Sequence, residues 1–323
     1  MSTFKSGKID VIIPTYNGLP FLKATIKSIL DQTYSHFSLY VIDDGSTDDN
    51  ATRKYVTSLK DARVKYVWKE NGGQATARNL GIKISDSPYV TFCDSDDIWY
   101  PNKLEEQLAL FKQHPRAGLV YGSQDYINEN DEIIGGLDAQ LSGSIFFDLL
   151  DGNKIAGSGS MVMIPRAVLD TVGLFHEDFL IGEDWELWLR IAKNYSVEFV
   201  PTRIAALRML SNSMQTNHLK MARGLLYMLP IMTRELQLNR TERAELKASI
   251  FWQTSIFYFR SGQGWHARYY LVKLLLAKPS TILNQGRVLH YLHTLLGTTL
   301  FKLFTGTFKY LLPRKLRQKL MPK

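Results

Sequence analysis

VTFCDSDDIWYP, residues 90–101, leads an apolar and β-branched run into the carboxylates of Asp94, Asp96 and Asp97. A short continuous apolar run of this kind is typical of a strand buried in a parallel sheet. Three carboxylates this close together repel one another, and without a nearby cation the pKa of at least one of them would rise. We therefore expect a positive group beside the end of this strand.

The same strand is the fourth in a regular alternation of strands and helices. Apolar and β-branched runs predict strands at 8–16, 37–44, 63–68 and 88–94. Helical patterns lie between and after them, at 20–32, 48–60, 74–85 and 101–113. Repeated alternation favours βαβ units on a mostly parallel sheet, so the sequence predicts an α/β fold.

The composition excludes several classes of protein. The chain has 323 residues, of which 45% are hydrophobic, so it has ample material for a core and is not disordered. Cys93 is the single cysteine, which excludes a disulfide framework and fits a reducing compartment. The first ten residues, MSTFKSGKID, contain no apolar run and do not resemble a secretory signal. We expect a cytoplasmic location.

Polar residues follow every predicted strand. The segments are Pro-Thr-Tyr-Asn at 14–17, Asp-Asp-Gly-Ser at 43–46, Asn-Gly-Gly at 71–73 and Asp-Ser-Asp-Asp at 94–97. Open parallel sheets bind ligands at the carboxyl ends of their strands, where these segments would meet. Their oxygen ligands and donors suit a nucleotide diphosphate that carries a divalent metal ion.

Five segments together resemble a known family. They are VIIPTYNGLPFLKATIKSILDQTY, VIDDGSTDD, NGGQATARNLGI, CDSDDIW and GEDWELWLRI. In this order, over roughly residues 8–215, they look like the inverting family 2 glycosyltransferases with the GT-A fold, a Rossmann-like and mostly parallel sheet for nucleotide-diphospho-sugars. The resemblance implies a catalytic GT-A domain at 1–218, and it does not cover the helical basic region at 219–323.

The resemblance also implies a donor site. Asp96 would hold Mn²⁺ or Mg²⁺, with Asp94 as a further metal or ribose contact, because a hard cation stabilises the departing diphosphate. Asp43 is favoured over Asp44 for the uracil ring. The full set implied for the nucleotide-sugar is Pro14, Thr15, Tyr16, Asp43, Asp44, Arg78, Asp94, Ser95 and Asp96. For Asp97 a turn or cap role before Pro101 is the better interpretation.

GEDWELWLRI places two acids before an apolar helical face, so Glu183 and Asp184 should lie at a helix N-terminus. Ordinary helices also favour acids there because of the helix dipole, so the motif alone leaves the role open. The resemblance implies that Asp184 is the base that takes a proton from the acceptor hydroxyl, in a single displacement that inverts the anomeric carbon. It further implies acceptor contacts at Gly157, Ser158, Glu183 and Trp185, whereas Trp188 should pack in the core.

The chain departs from the family pattern at Leu210, where related enzymes often carry a histidine. If that histidine normally contacts the diphosphate, this protein does without it or uses Arg208, Ser211 or His218 instead. The motif Gln-x-x-Arg-Trp of processive synthases is also missing from the sequence, so we expect one sugar per encounter.

The charge is unevenly distributed along the chain. The net charge is +8, yet residues 220–323 contain 18 Lys and Arg against 3 acids, which leaves the preceding part acidic. The segment 288–323 mixes aromatic residues, leucines and lysines, as an interfacial helix on anionic lipid does. A helical hairpin packed on the catalytic domain is the better interpretation of 220–280. A nucleic-acid patch is disfavoured, because no binding motif is present.

The sequence therefore predicts a metal-dependent inverting glycosyltransferase that moves one sugar from a UDP-sugar to a hydroxyl of a glycan or a lipid-linked acceptor, in the synthesis of a cell-surface polysaccharide. A nucleotidyltransferase is one alternative, but the first predicted strand is not followed by its basic, glycine-rich phosphate loop. An inactive nucleotide-sugar-binding or membrane-scaffold protein is the other, and the presence of both Asp96 and Asp184 disfavours it.

Overall fold

The computed structural model describes residues 7–155, 157, 159–210 and 216–280. They form two compact units. The first contains the described residues of Met1–Leu149 and Asn153–Ser213, and the second those of Leu150–Gly152 and Met214–Lys323. Within the described residues, we find no helix that combines the length and the apolar character needed to cross a bilayer.

The strands of the described chain form one nine-stranded sheet in the first unit. They are β1 (Ile9–Thr15), β2 (Phe37–Asp43), β3 (Val64–Trp68), β4 (Tyr89–Phe92), β5 (Ile98–Trp99), β6 (Ala117–Ile127), β7 (Ile133–Leu137), β8 (Met163–Pro165) and β9 (Ser196–Arg208). The strand order is β3-β2-β1-β4-β8-β6-β9-β5, and β7 pairs with β6. The first four strands are parallel, whereas β8 runs antiparallel to both β4 and β6.

The helices follow the predicted alternation. In the first unit they are α1 (Leu19–Leu30), α2 (Ala51–Ser58), α3 (Gln74–Lys83), α4 (Lys103–Gln113), α5 (Phe146–Leu150), α6 (Arg166–Val172) and α7 (Glu183–Asn194), α5 ending at the border of the second unit. The second unit contains α8 (His218–Glu235), α9 (Arg240–Arg260) and α10 (Gly264–Ala277). The predicted α/β class is confirmed, and the C-terminal region is helical as far as the structure describes it.

Burial explains the strand sequences. Every residue of β1 and β2 is buried, as expected for central parallel strands covered on both faces, whereas β3 at the sheet edge is partly exposed. Leu22, Ile26 and Ile29 recur at helical spacing on α1 and pack into the same core.

Strand register brings the polar segments to one edge of the sheet. Thr15 pairs with Asp43, which in turn pairs with Trp68, so β1, β2 and β3 end level with one another. Ile12 pairs with Phe92, so β4 ends three residues before this level and the segment after it, which begins with Cys93 and Asp94, continues toward the same edge. The loops that follow these strands meet at the carboxyl edge, where a parallel sheet binds its ligands.

Candidate active site

The loops after β1 and β2 are joined through Asn17. Its Nδ2 donates to Thr47 Oγ1 (3.2 Å), its Oδ1 accepts from the Thr47 N–H (2.8 Å), and its own N–H donates to Ser46 Oγ (2.9 Å). Tyr16 beside it is 52% exposed, and the buried Thr15 Oγ1 has no hydrogen-bond partner among the described residues. An exposed ring and an unsatisfied hydroxyl at the strand ends are features that a bound base could use.

The two aspartates after β2 differ in how many hydrogen bonds they accept. Asp44 accepts from Lys69 Nζ (2.5 Å), from the Gly72 N–H (3.0 Å) and from the Gly73 N–H (2.7 Å), so its carboxylate organises the glycine-rich loop. Asp43 accepts one hydrogen bond on each oxygen, from the Ser46 N–H (2.8 Å) and from Tyr66 OH (2.7 Å). Because each oxygen has two lone pairs, Asp43 retains more capacity to accept from a ligand.

Asp94, at the end of β4, is held by two side chains from α3. Its Oδ1 accepts from Gln74 Nε2 (2.7 Å) and from Arg78 NH2 (2.7 Å), and its N–H donates to Ser160 Oγ (2.8 Å). Asp94 is therefore fixed in place by these contacts, which fits a supporting role better than that of a main metal ligand.

Asp97 is a structural anchor, and it does not cap the helix after Pro101 as the sequence suggested. It is 4% exposed, accepts from Ser160 Oγ (2.5 Å) and accepts from the backbone N–H of Arg208 (3.0 Å). Burial and the charges of Asp94 and Asp96 raise the pKa of its carboxyl group. The turn interpretation holds only for the backbone, where the Asp97 N–H donates to the Asp94 carbonyl.

Asp96 fits the role of a cation ligand. Burial and the neighbouring charge of Asp94 raise the pKa of its carboxyl group to about 6, and in the part of the chain that the structure describes no side chain donates to it. Among the same residues, no three His, Cys, Asp or Glu side chains converge on a metal position. A single available carboxylate, that of Asp96, suits a Mg²⁺ or Mn²⁺ ion that takes its remaining ligands from substrate phosphates and water.

Ser95 and Thr15 leave room only for glycine between them. A Cβ added to Gly18 would lie 2.6 Å from Thr15 Oγ1 and 2.7 Å from Ser95 Oγ. The loop after β1 therefore approaches the loop after β4 closely enough for Thr15, Tyr16 and Ser95 to share one ligand.

Arg78 joins the two halves of the site. Its guanidinium is 1% exposed and bridges Asp94 (2.7 Å) and Glu183 (3.0 Å), although these acids lie 89 residues apart in the chain. The same group lies over the ring of Phe175, 5.3 Å from its centroid. The sequence suggested a contact between Arg78 and a base or pyrophosphate. The structure pairs its guanidinium with two carboxylates, which it holds in position.

Asp184 lies in the first turn of α7. The helix begins at Glu183 directly after Gly182, whose φ of 69° is a conformation that glycine adopts without strain. Asp184 Oδ1 accepts from the Trp185 N–H (2.6 Å), and Asn153 Nδ2 lies 3.4 Å from Oδ2. Burial raises the pKa of Asp184, and Arg78 opposes this effect. Burial and the charge of Asp184 raise the pKa of Glu183 to about 7, again against the effect of Arg78. Raised basicity is what a proton acceptor needs.

The residues suggested for acceptor contacts differ in their surroundings. Gly157 has a φ of 65° and packs so closely on Gln124 that a Cβ would overlap its Oε1, at 2.0 Å. Ser158 lies outside the described residues. Trp185 is 3% exposed and donates to the Leu149 carbonyl (2.8 Å), so its ring supports α7 and offers no stacking surface for a sugar. Trp188 is fully buried in the core, as the sequence suggests.

The three residues considered as replacements for the histidine missing at Leu210 lie in different surroundings. Arg208 donates to the Asp96 and Asn128 carbonyls (2.9 and 2.7 Å) and pairs with Asp131, so its guanidinium is fully engaged beneath the acidic loop. His218 lies in the second unit and stacks on Phe257 at 5.9 Å. Ser211 lies outside the described residues.

The sequence interpretation missed Gln74, Ser160 and Asn153. Gln74 precedes Arg78 by four residues on α3, and this helical spacing places both side chains on one face, so the pairing could have been found. Ser160 and Asn153 reach Asp94 and Asp184 only through the tertiary fold, and no local pattern marks them.

The comparisons with known proteins agree with this geometry. The sequence profile described as Glycosyl transferase family 2 matches residues 10–173. An uncharacterized glycosyltransferase of Rickettsia conorii is 37% identical over 204 residues, which are 62% of this chain and 33% of that protein. The Escherichia coli UDP-Glc:alpha-D-GlcNAc-diphosphoundecaprenol beta-1,3-glucosyltransferase WfgD is 34% identical over 194 residues, 59% of this chain and 72% of that protein.

Among solved structures, that of S. aureus TarS (residues 1–349) in complex with UDP-GlcNAc superposes with a TM-score of 0.54 at 16% identity, covering 86% of this chain and 92% of that one. At this identity the likeness concerns the fold alone. The chain spans about a third of the length of the first curated relatives it matches.

Proposed function

This chain belongs to glycosyl transferase family 2, and from that premise we propose that it moves one sugar from a UDP-sugar to a hydroxyl of a glycan or a lipid-linked acceptor, with a divalent metal ion and with inversion. The family prediction is confirmed, and the likeness to TarS confirms the predicted GT-A fold. The observation that carries the proposal is the buried guanidinium of Arg78, which ties the acidic end of β4 to the first turn of α7.

The donor half of the proposal rests on the carboxyl edge of the sheet. Asp43, with its remaining acceptor capacity, and the exposed Tyr16 would hold the base, and Asp96 would hold Mn²⁺ or Mg²⁺. When bound, the cation stabilises the negative charge that gathers on the departing diphosphate. Asp94 would keep Asp96 oriented through its fixed contacts with Gln74 and Arg78.

The acceptor half rests on α7. Asp184 would take the proton of the acceptor hydroxyl as the oxygen attacks the anomeric carbon from the face opposite the diphosphate, so that one displacement inverts the centre. Glu183 shares the guanidinium of Arg78 with Asp94, and this shared contact would hold the base at a fixed distance from the donor. Gly157 would allow the acceptor loop to approach closely, with Ser158 beside it.

The class of acceptor is proposed from the relatives and from the charge of the chain. WfgD acts on a diphosphoundecaprenol-linked sugar, as its name states, and Bacillus subtilis TuaG, 29% identical, carries the description of a putative teichuronic acid biosynthesis glycosyltransferase. A lipid-linked acceptor would be met at the cytoplasmic membrane face, where the basic segment 288–323, which lies outside the described residues, would contact anionic lipid.

Binding of UDP to the purified protein tests the donor site. We expect UDP to bind tightly with Mn²⁺, and Asp96→Ala to weaken that binding about 10-fold or more while binding in EDTA stays unchanged. Asp170→Ala, which removes an exposed carboxylate on α6, is the matched control. An equal loss with and without metal would contradict the metal role of Asp96.

Transfer itself is tested by incubating UDP-sugars with lipid-linked or soluble glycan acceptors and determining the anomeric configuration of the product. Inverted product supports the proposal. Tight UDP-sugar binding with neither transfer nor hydrolysis would favour the alternative of an inactive binding protein, and release of pyrophosphate from UTP and a sugar phosphate would favour a nucleotidyltransferase.

A further inference from the structure

The outer face of α10 is apolar, and no described residue covers it. Trp265 is 80% exposed, Tyr269 53%, Val272 51% and Leu276 78%. These four residues follow the spacing i, i+4, i+7 and i+11, which places all of them on one side of the helix. We call them the α10 stripe. Scattered exposed apolar residues are ordinary, but a continuous stripe along a helix marks an interaction surface.

The rest of α10 is arranged as in an interfacial helix. Ala267, Leu271 and Leu274, on the opposite side, are buried in the second unit, so the stripe is turned away from the core. Cations flank the stripe: the guanidinium of Arg268 lies 5.3 Å from the ring centroid of Trp265, and Lys273 Nζ lies 4.8 Å from that of Tyr269. Aromatic residues beside long cationic side chains are characteristic of helices that lie in a lipid interface.

A cavity with a cationic rim lies at the C-terminal end of the stripe. It is an open pocket of about 420 Å³, lined by Leu238, Asn239, Arg240, Arg243, Ala244, Lys247 and Ala277. Ala277, which follows Leu276 in the chain, contributes to its lining, so the cavity lies near the C-terminal end of α10. Its alanine and leucine residues are apolar, whereas Arg240, Arg243 and Lys247 are exposed cations at spacings that share one face of α9.

We propose that this surface of the second unit docks on an anionic phospholipid bilayer, with the α10 stripe inserted at the headgroup level and a lipid phosphate held by Arg240, Arg243 and Lys247. The cations match the phosphate charge, and the apolar cavity wall and stripe match the adjoining acyl chains. Docking of this kind does not depend on the proposed transfer reaction.

Charge favours lipid over the other occupants of an apolar helix face. Residues 246–323 contain 13 Lys and Arg and no Asp or Glu. A second copy of the chain that paired through the same face would therefore bring a like-charged surface against the stripe. Residues 281–323, with eight cations and no acid, would also add positive charge if they covered it. An anionic bilayer is the partner that this charge attracts.

Sedimentation with vesicles tests the docking surface on the full chain. We expect binding to vesicles of phosphatidylcholine mixed with phosphatidylglycerol and little binding to pure phosphatidylcholine. Trp265→Ala with Leu276→Ala should weaken binding to the mixed vesicles about tenfold, because two exposed apolar side chains no longer insert. Arg240→Gln and Lys247→Gln should each weaken it about fivefold, the effect of one cation near an anionic surface.

Matched controls come from the first unit. Ile134→Ala removes an apolar side chain that is 58% exposed on β7, and Lys54→Gln removes an exposed cation on α2, so neither should change vesicle binding. Circular dichroism establishes that each variant is folded, and UDP binding should be unaltered in all of them. Failure of the transfer proposal would thus leave the vesicle result intact.

Three results would overturn the docking surface. One is unchanged vesicle binding by the Trp265→Ala, Leu276→Ala variant in folded form. Another is equal binding of the wild-type chain to neutral and anionic vesicles. The third is a wild-type dimer in sedimentation equilibrium that the stripe variant dissociates, which would assign the stripe to a second copy of the chain.

Discussion

Replacing Arg78 with methionine removes the guanidinium that links the two acidic groups of the site. Methionine has a similar length and no charge, so the substitution leaves Asp94 and Glu183 without their shared cation. The side chains of these acids are only 20% and 12% exposed, so water replaces little of the lost interaction. Gln74 still donates to Asp94. Glu183 has no such second side-chain donor among the residues that the structure describes.

The expected loss follows from the burial of the three groups. Breaking a buried ion pair costs about 3–5 kcal/mol, because an uncompensated charge stays behind. Arg78 also lowers the pKa of Glu183, which is about 7 with the guanidinium in place. In the variant the pKa of Glu183 rises further, so Glu183 takes up a proton at neutral pH. The loss in the free energy of unfolding should therefore be near about 3 kcal/mol, the lower end of the range. Adding Glu183→Gln removes the buried carboxyl group that would have to take up this proton, and should restore about 1–3 kcal/mol.

Urea unfolding and transfer assays together test this reasoning. Arg166→Met is the matched control, since Arg166 pairs with the buried Asp10 (3.0 Å) near the beginning of β1, at the other edge of the sheet. Both variants should lose stability, but only Arg78→Met should lose transfer in the folded state. If Arg78→Met lowered the free energy of unfolding by less than about 1 kcal/mol, far below the loss expected for a broken buried ion pair, the bridging role would be refuted. Equal effects of the two variants on transfer would refute it too.

Two further substitutions probe the core and the acceptor loop. Lys103 is fully buried, with Nζ 2.6 Å from Gln107 Oε1 and 4.3 Å from the Trp99 ring centroid, and burial lowers its pKa to about 7. The unfolded chain keeps the proton on Lys103 up to about pH 10, whereas the folded chain keeps it only below about pH 7. Between these pH values the free energy of unfolding of the wild type, relative to that of Lys103→Met, should therefore rise with pH, by at most about 1.4 kcal/mol per pH unit. Urea unfolding at several pH values measures this, and parallel curves would contradict it. Gly157→Ala should lower transfer while UDP affinity stays unchanged, because a Cβ at a φ of 65° would displace Gln124. Lost UDP affinity, measured by calorimetry, would assign Gly157 to the donor side instead.

Much of the fold was predictable because hydrophobic periodicity is a local signal. The strands predicted at 37–44 and 63–68 appear at Phe37–Asp43 and Val64–Trp68. The position of β8 between β4 and β6 was not predictable, because Met163–Pro165 is too short for its sequence to specify antiparallel pairs with strands more than 30 residues away.

The site shows the same division between local and tertiary information. The carboxyl-edge rule directs attention to the ends of β1, β2 and β4, and the position of Asp184 in the first turn of α7 follows from its motif. Sequence could not show that Asp44 accepts from Lys69 and from two glycine N–H groups, or that Arg78 bridges two acids. These pairings depend on loops that meet only after the sheet has formed.

The most direct test of the central claim is the transfer rate of Asp184→Asn measured beside its affinity for the UDP-sugar. Asparagine keeps the size of the side chain and an oxygen that can accept from the Trp185 N–H, but it cannot take up the acceptor proton. We predict that kcat falls on the order of 10²–10⁴-fold, while the Kd for the donor stays at the wild-type value. Retained transfer, or a donor affinity that falls as far as the rate, would contradict the assignment of Asp184 as the base.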